Sequence, residues 1–226
     1  MSVATRGRLI VFEGVEGAGK STQLERLGGH LARAGVPHRA FREPGGTALG
    51  DAIRGLLLDP ASTISARAEA LLFMASRAEL VSGELRPALE SGTIVLLDRF
   101  FLSTYAYQIA GRGLAEGEVR SANAMATDGL VPDLTILLTL SADVGLERAA
   151  RRSATDRIER SGREFHGRVE RAFAEFATRS WQAAHAECGP IVAVDGSGEA
   201  GTVESLVLDA VTSRFHELRG ALGAAA

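Results

Sequence analysis

Short runs of apolar residues alternate with longer segments of helical periodicity along this chain. Five runs rich in branched side chains predict buried strands, at residues 8–13, 38–41, 93–98, 134–140 and 191–195. Strands that are continuous apolar runs, with helices between them, are typical of a parallel sheet covered on both faces. The pattern therefore predicts an α/β fold with a five-stranded parallel sheet and helices on both faces.

Helical segments fill the intervals between the strands. Apolar side chains at helical spacing predict helices over about 21–35, 49–57, 66–90 and 165–176, and a last one after the fifth strand. The small-residue tail 220–226 is expected to fray. No internal repeat or low-complexity linker divides the chain, so residues 1–226 are predicted to form a single domain.

The composition excludes several partners. The net charge of −3 gives no sign of a nucleic acid or an acidic membrane as partner. The single cysteine, Cys188, excludes an internal disulfide and fits a reducing compartment, and no apolar stretch has membrane-spanning length. These features predict a cytoplasmic protein that binds neither nucleic acid nor membrane.

Residues 14–21, GVEGAGKS, match the phosphate-loop pattern G-x-x-x-x-G-K-[ST] between a predicted strand and a predicted helix. The backbone N–H groups of such a loop bind phosphates. Lys20, the only lysine among 25 basic residues, stands where an ammonium follows the β- and γ-phosphates, and Ser21 is expected to ligate Mg²⁺. The residues predicted to bind ATP are Gly14, Glu16, Gly17, Ala18, Gly19, Lys20, Ser21 and Thr22.

Three classes of phosphate-loop protein differ in their further motifs. A GTPase would need an N-K-x-D motif, which is excluded because the only lysine lies in the loop. A hydrolytic ATPase usually ends its Walker B strand in Asp-Glu, whereas the matching strand here, residues 93–98, ends in Asp98-Arg99. A cation there suits a phosphotransferase with a charged acceptor. Arg42 ends the second strand, so it and Arg99 should both lie at the carboxyl edge of the sheet, where ligands bind.

Six segments in a fixed order add to this interpretation: FEGVEGAGKST (12–22), REPGGT (42–47), ALLFMASR (70–77), LLDRF (96–100), STYAYQ (103–108) and DRIE (156–159). Together they resemble the thymidylate kinase family over about residues 8–180. The resemblance implies a P-loop NTPase fold and transfer of the γ-phosphate of ATP to dTMP, with Mg²⁺ as cofactor. It also implies a homodimer, for which the apolar face of residues 66–90 is the candidate surface.

The resemblance assigns roles around the acceptor nucleotide. Arg42 and Arg99 bind its phosphate, and Asp98 lies near Mg²⁺. Glu16 points away from ATP and accepts a hydrogen bond from the acceptor 3′-OH, whereas Glu13 is expected to pair with a cation. The residues expected to contact the base and sugar are Phe73, Arg77, Ser103, Tyr107 and Gln108.

Phe73 and Arg77 are four residues apart and therefore share a helix face. The resemblance implies that the Phe73 ring stacks on the base. Arg77 has donors only, so it donates to O4 of thymine or uracil and rejects the amine of cytosine. Ser103 and Gln108 help to hold the base, with Gln108 accepting from N3–H, and Tyr107 crowds a ribose 2′-OH.

The arginine-rich segment 148–163 resembles the lid of the family. Some family members carry an arginine directly after the acidic loop residue, but Gly17 stands at that position here. The positive charge that neutralises the transferred phosphoryl group is then expected from the lid, first from Arg152, second from Arg148 and further from Arg157. The predicted catalytic residues are Lys20, Arg99, Arg152 and Arg148.

Two alternatives stay open. A kinase of another nucleoside monophosphate, or of a deoxynucleoside, would share the loop, and the residues do not separate dTMP from dUMP. A phosphate-loop binding or regulatory protein without an acceptor is disfavoured, because Arg42 and Arg99 would have nothing to bind. Residues 197–226 carry no identifiable chemistry.

Overall fold

The five predicted strands form one parallel sheet. A computed structural model describes residues 6–151 and 156–223, so Arg152 lies outside the described residues. The strands are β1 (Leu9–Glu13), β2 (His38–Arg42), β3 (Ile94–Asp98), β4 (Leu134–Thr139) and β5 (Ile191–Asp195), in the order β2-β3-β1-β4-β5. The predicted α/β fold with a five-stranded parallel sheet is confirmed.

Helices connect these strands and surround the sheet. They are α1 (Lys20–Arg33), α2 (Ala48–Leu58), α3 (Ala66–Leu80), α4 (Arg86–Glu90), α5 (Phe101–Thr104), α6 (Glu116–Thr127), α7 (Ala142–Ala150), α8 (Arg163–Phe176), α9 (Arg179–Ala184), α10 (Ala200–Arg214) and α11 (Arg219–Gly223). None of these helices is long and apolar enough to cross a membrane. The cytoplasmic location inferred from the sequence stays a prediction.

Two π-helical segments interrupt the helical pattern. Val81–Leu85 joins α3 to α4, so the predicted helix over 66–90 is present with a π-helical stretch inside it. Tyr105–Gly111 follows α5 and contains Tyr107 and Gln108. A π-helix bonds each N–H to the carbonyl five residues earlier, and such segments are frequent at functional sites.

Strands β1 and β3 form the buried centre of the sheet. Every residue of β1 is buried, and the register sets both Phe12 and Arg42 beside Asp98. The backbone N–H of Glu43 donates to the Asp98 carbonyl over 2.9 Å, which ties the turn after β2 to the end of β3. The carboxyl ends of three strands therefore meet at one edge, where an open α/β sheet binds ligands.

The C-terminal segment is more ordered than its composition predicts. Helix α11 covers Arg219–Gly223, and Leu218 and Leu222 belong to the hydrophobic core. The expectation that the tail frays from residue 220 is wrong as far as residue 223, because these two leucines anchor it. Residues 224–226 lie outside the described part of the chain.

Candidate active site

The phosphate loop joins β1 to the N-terminus of α1. Lys20, the first residue of α1, is buried and donates to the carbonyl oxygens of Val15 (2.8 Å) and Gly14 (3.2 Å). Burial lowers the pKa of the Lys20 ammonium, and the charge of Arg99 lowers it further. A cation that is desolvated and beside another cation gains from a bound polyanion, so this loop suits phosphate.

Ser21 and Asp98 meet beside the loop. The Ser21 hydroxyl donates to Oδ2 of Asp98 over 2.6 Å. Oδ1 of Asp98 is buried and has no hydrogen-bond partner within residues 6–151 and 156–223. Hydroxyl and carboxylate oxygens are the ligands that Mg²⁺ takes alongside substrate phosphates. The pair therefore fits a magnesium nucleotide.

A pocket of about 390 Å³ lies on one side of the loop. The predicted substrate residues that line it are Glu16, Phe73, Arg77, Arg99, Ser103, Tyr107 and Gln108. Glu16 faces this pocket, and its Oε2 accepts a hydrogen bond from Nη2 of Arg99 over 2.5 Å. The loop carboxylate thus lines the same cavity as the residues predicted to contact the acceptor base and sugar. We call this cavity the acceptor pocket.

Arg99 occupies a strained turn at the end of β3. Its φ angle is 73°, in the left-handed region that non-glycine residues rarely adopt, and its N–H donates to the Phe12 carbonyl over 2.9 Å. Its guanidinium lies over the Tyr107 ring, 5.3 Å from the centroid. Strained backbone clusters at ligand sites, where the surrounding structure holds it in place. The turn directs this cation into the acceptor pocket.

Arg42 and Arg54 differ in their relation to the pocket. The Arg42 side chain is 60% exposed, lies 3.9 Å from Asp51 and is not among the described residues that line the pocket. Arg54 on α2 does line it and donates to the Pro44 carbonyl over 3.1 Å. Burial lowers the pKa of Arg54, and the charges of Arg42 and Arg99 lower it further. Sequence reasoning missed Arg54, because nothing in its helix marks this position.

Arg77 belongs to a buried hydrogen-bond network. Its five N–H groups donate to Oε2 of Glu43 (from Nε and Nη2, 2.8 and 2.5 Å), the Phe100 carbonyl, Thr104 and Asn123. Burial raises the pKa of Glu43, although Arg77 opposes that shift. Arg77 lines the pocket with every donor engaged, so a bond to a base carbonyl requires the exchange of one of these acceptors.

Glu13 supports the turn that follows β3. Its Oε1 accepts from the backbone N–H groups of Phe100 (2.8 Å) and Ser103 (3.0 Å), and its Oε2 accepts from the Ser103 hydroxyl (2.6 Å). Among the described contacts Glu13 has these neutral donors at the start of α5 rather than a direct ion pair, while its charge acts on Lys20 and Arg99 through space. Ser103 also accepts from Nη1 of Arg99 over 3.1 Å, so its hydroxyl links Glu13 to the arginine.

A second pocket lies on the other side of the loop. Its lining combines loop residues Gly17, Ala18, Gly19 and Thr22 with Arg148 and the connection 196–200 between β5 and α10. Arg148 donates to the carbonyl oxygens of Gly196 (3.0 Å) and Ser197 (3.1 Å). No motif in the sequence marks this connection, because it becomes part of the site only when β5 joins the sheet. We call this cavity the donor pocket.

The lid arginines have different surroundings. Arg151 is exposed and lies 3.9 Å from Glu147, while Arg157 is held by Glu69 over 2.6 Å. Arg152, the first catalytic candidate, lies outside the described residues. The lid residues that line the acceptor pocket are Ala149, Asp156, Ile158 and Glu159. The described lid residues therefore reach both cavities, since Arg148 lines the donor pocket and these four line the acceptor pocket.

Two pockets that share one phosphate loop, with Arg99 at the end of β3 lining one of them, define a P-loop phosphotransferase. The family model for thymidylate kinase matches residues 12–190. A thymidylate kinase of Deinococcus radiodurans is 45% identical over 212 residues, which cover 94% of this chain and 100% of that protein. One of Pelobacter propionicus is 43% identical over 224 residues, covering 96% and 99%. The chain belongs to the thymidylate kinase family, as the resemblance of its motifs predicts.

Proposed function

We propose that this chain transfers the γ-phosphoryl group of ATP to dTMP, giving ADP and dTDP. The observation that carries the proposal is the pair of pockets that flank one phosphate loop. The donor pocket contains the loop backbone, and the acceptor pocket contains the rings of Phe73 and Tyr107, polar side chains for a base and three arginines. Nucleotides in the two pockets would meet beside Lys20 and Arg99.

The chemistry asks the protein for positioning and charge neutralisation. An oxygen of the acceptor phosphate forms a bond to the γ-phosphorus, the bond from that phosphorus to the β–γ bridging oxygen breaks, and ADP leaves with the electron pair. The attacking oxygen is already anionic, so no general base is required. Lys20 binds the β- and γ-phosphates, while Arg99, Arg54 and, from the rim, Arg42 bind the acceptor phosphate.

Ser21 and Asp98 hold Mg²⁺ in this proposal. When it is bound with ATP, the ion neutralises charge on the β- and γ-phosphates. Oδ1 of Asp98, which lacks a hydrogen-bond partner among the described residues, supports this role. The backbone N–H groups of Lys20, Ser21 and Thr22, in the first turn of α1, lack partners within the helix and can bind the same phosphates.

The acceptor base and sugar meet residues of α3 and of the π-helical segment Tyr105–Gly111. Phe73 is half-buried on the pocket wall, as a ring that stacks on a base must be. Gln108 accepts from N3–H, Tyr107 narrows the pocket beside the sugar, and Glu16 accepts from the 3′-OH. The lid supplies the positive charge that neutralises the transferred phosphoryl group, through Arg152 with Arg148 as the alternative.

The whole chain is one kinase domain in this proposal, and two chains associate. Large apolar side chains are exposed on three neighbouring helices: Leu49 and Leu56 on α2, Leu71 on α3 and Met125 on α6. Most of the apolar face of residues 66–90 is buried in the chain's own core, with Leu71 as its exposed member. The four side chains support a self-association surface, which we call the α2–α3–α6 face.

Steady-state ADP formation with dTMP, dUMP, dCMP and UMP offered separately tests the function. We expect kcat/KM for dTMP to exceed that for dCMP by at least about tenfold. Arg152→Ala should lower kcat by about 10²–10³-fold, the effect of losing one transition-state donor, while dTMP still raises Tm. Arg151→Ala is the matched control. Arg151 is exposed and next to Arg152, and within the described residues its one ion pair is the long contact with Glu147, so this variant should change kcat less than about twofold.

Each result separates the alternatives. Equal use of dCMP and dTMP would contradict the base pocket as assigned. ATP binding with no nucleotide-dependent ADP formation, and no effect of dTMP on Tm, would favour a regulatory phosphate-loop protein. Unchanged turnover of Arg152→Ala would exclude Arg152 as the source of the transferred charge.

A further inference from the structure

Glu69 is a buried carboxylate just behind the acceptor pocket. It lies in the first turn of α3, is 1% exposed and is not among the described residues that line the pocket. Its Oε1 accepts from Gln108 (3.1 Å) and from Nε of Arg112 (3.0 Å), and its Oε2 accepts from Arg112 (3.1 Å) and Arg157 (2.6 Å). One carboxylate thus connects Gln108, which lines the acceptor pocket, to Arg157 in the lid.

The Glu69 carboxylate determines which way the Gln108 amide faces. An ionised carboxylate accepts hydrogen bonds and cannot donate, so the amide must present Nε2 to Glu69. The carbonyl Oε1 of Gln108 is then the polar atom left for the pocket that this side chain lines. An acceptor in that place pairs with the N3–H of thymine and opposes the N3 lone pair of cytosine.

The same carboxylate holds the lid. Arg157 donates from Nη2 to Glu69, from Nε to the Leu57 carbonyl (2.8 Å) and from its backbone N–H to the Leu58 carbonyl (3.1 Å). Leu57 and Leu58 are the last residues of α2, whose carbonyl groups lack partners within the helix. The flanking lid residues Asp156 and Ile158 line the acceptor pocket. The hydrogen bonds of Arg157 to Glu69 and to the end of α2 therefore keep these lid residues beside the acceptor pocket.

Glu69 remains ionised in this arrangement. Burial by itself raises the pKa of the carboxyl, but the hydrogen bonds from Arg112 and Arg157 outweigh burial, and the pKa is lowered. Arg112 is itself held in place, with its guanidinium 4.4 Å from the centroid of the Phe165 ring on α8. An acceptor-only Glu69 at neutral pH follows from these contacts.

We propose that Glu69 is a positioning residue that fixes the Gln108 amide for base selection and, through Arg157, holds the lid closed over the same pocket. The inference rests on the proposed function, because base selection presupposes a nucleotide in the acceptor pocket. Neither of these tasks requires Glu69 to touch the substrate. Its removal should change which base is accepted, as well as how fast the enzyme turns over.

The ratio of kcat/KM for dTMP to that for dCMP measures the first task. In Glu69→Gln the new amide can donate to Gln108, so the Gln108 amide can turn and offer its NH₂ group to the base. We expect the ratio to fall by about tenfold or more, because kcat/KM for dCMP rises relative to that for dTMP. Glu69→Asp keeps an acceptor-only carboxylate and should retain most of the ratio. Glu204→Gln, which alters an arginine-paired carboxylate between α1 and α10, is the matched control and should leave the ratio unchanged.

Arg157→Gln measures the second task, and tests the proposal even if Glu69→Gln does not fold. Arg112 still holds Glu69 in this variant, so the ratio of kcat/KM for dTMP to that for dCMP should stay within about twofold of the wild-type value. Because the lid is no longer held, KM for dTMP should rise about tenfold or more. A Glu69→Gln enzyme that loses activity equally with both nucleotides would overturn base positioning, and an unchanged KM in Arg157→Gln would overturn the lid role. A wild-type enzyme that does not prefer dTMP over dCMP would instead contradict the proposed function.

Discussion

Gly17 and Gly145 bring the phosphate loop and helix α7 into backbone contact. Gly17 has a φ angle of 71°, and a Cβ atom added to it would lie 2.0 Å from the Gly145 carbonyl oxygen. A Cβ on Gly145 would lie 2.1 Å from the Glu16 carbonyl oxygen. No side chain fits at residue 17 without displacing α7. This contact gives a physical reason why the loop carries no arginine at residue 17. The positive charge that neutralises the transferred phosphoryl group is therefore expected from the lid.

Gly17→Ala should destabilise the protein and weaken ATP binding. The methyl group meets a rigid backbone and a left-handed φ, so we expect a loss of at least about 2 kcal/mol in the free energy of unfolding. Urea denaturation measures this change. Gly117→Ala is the control, because Gly117 lies in α6 with open space around its Cβ position and should gain up to about 1 kcal/mol. Equal stability of Gly17→Ala and wild type would contradict the close packing.

The predictability of a site residue depends on where its partners lie in the chain. Lys20, Ser21 and Asp98 could be found because a local pattern and the end of a buried strand mark them. The two acids Glu43 and Glu69 could not be assigned, since their cationic partners come from distant segments. The neutral hydrogen-bond partners of Glu13 were missed for the same reason. Its donors belong to a turn about 90 residues away whose backbone path is not encoded in local spacing.

At the scale of elements, strands were easier to predict than helical details. Buried parallel strands are short apolar runs, and all five were found at their observed positions within one or two residues. The π-helical segments Val81–Leu85 and Tyr105–Gly111 escaped prediction, because they have the composition of ordinary helix and differ only in hydrogen bonding. Helix α11 escaped it too, since small residues around a single leucine give no periodic signal.

Leu222→Ala tests whether α11 is a structural element. Leu222 is 2% exposed and packs into the hydrophobic core, so its truncation should lower the free energy of unfolding by about 2–3 kcal/mol. Leu206→Ala on α10 is the matched control, because that side chain is 42% exposed, and should change stability by less than about 0.5 kcal/mol. Urea denaturation of both variants gives the comparison. Equal, small losses would mean that the tail is frayed after all.

At the scale of the whole molecule, the alternation of strands and helices was sufficient to predict the fold class. The order β2-β3-β1-β4-β5 was not predicted, because apolar runs buried on both faces do not state which neighbour they pair with. The order decides the site, since it sets β1 between β3 and β4 and so gives the phosphate loop a pocket on each side. The dimer surface expected over residues 66–90 stays a prediction; the structure adds only that most of this apolar face is buried in the core and that Leu71 is exposed.

The α2–α3–α6 face leads to a prediction about assembly. Sedimentation equilibrium should give twice the chain mass of 23.8 kDa for the wild type. Leu71→Glu places a charge on an exposed side chain in the middle of this face and should raise the dimer dissociation constant by roughly 30–100-fold, without lowering the Tm of the monomer. Leu206→Glu, on the exposed side of α10, should leave the mass unchanged. A monomeric wild type would contradict self-association, whereas a dimer that survives Leu71→Glu but not Leu206→Glu would move the interface to α10.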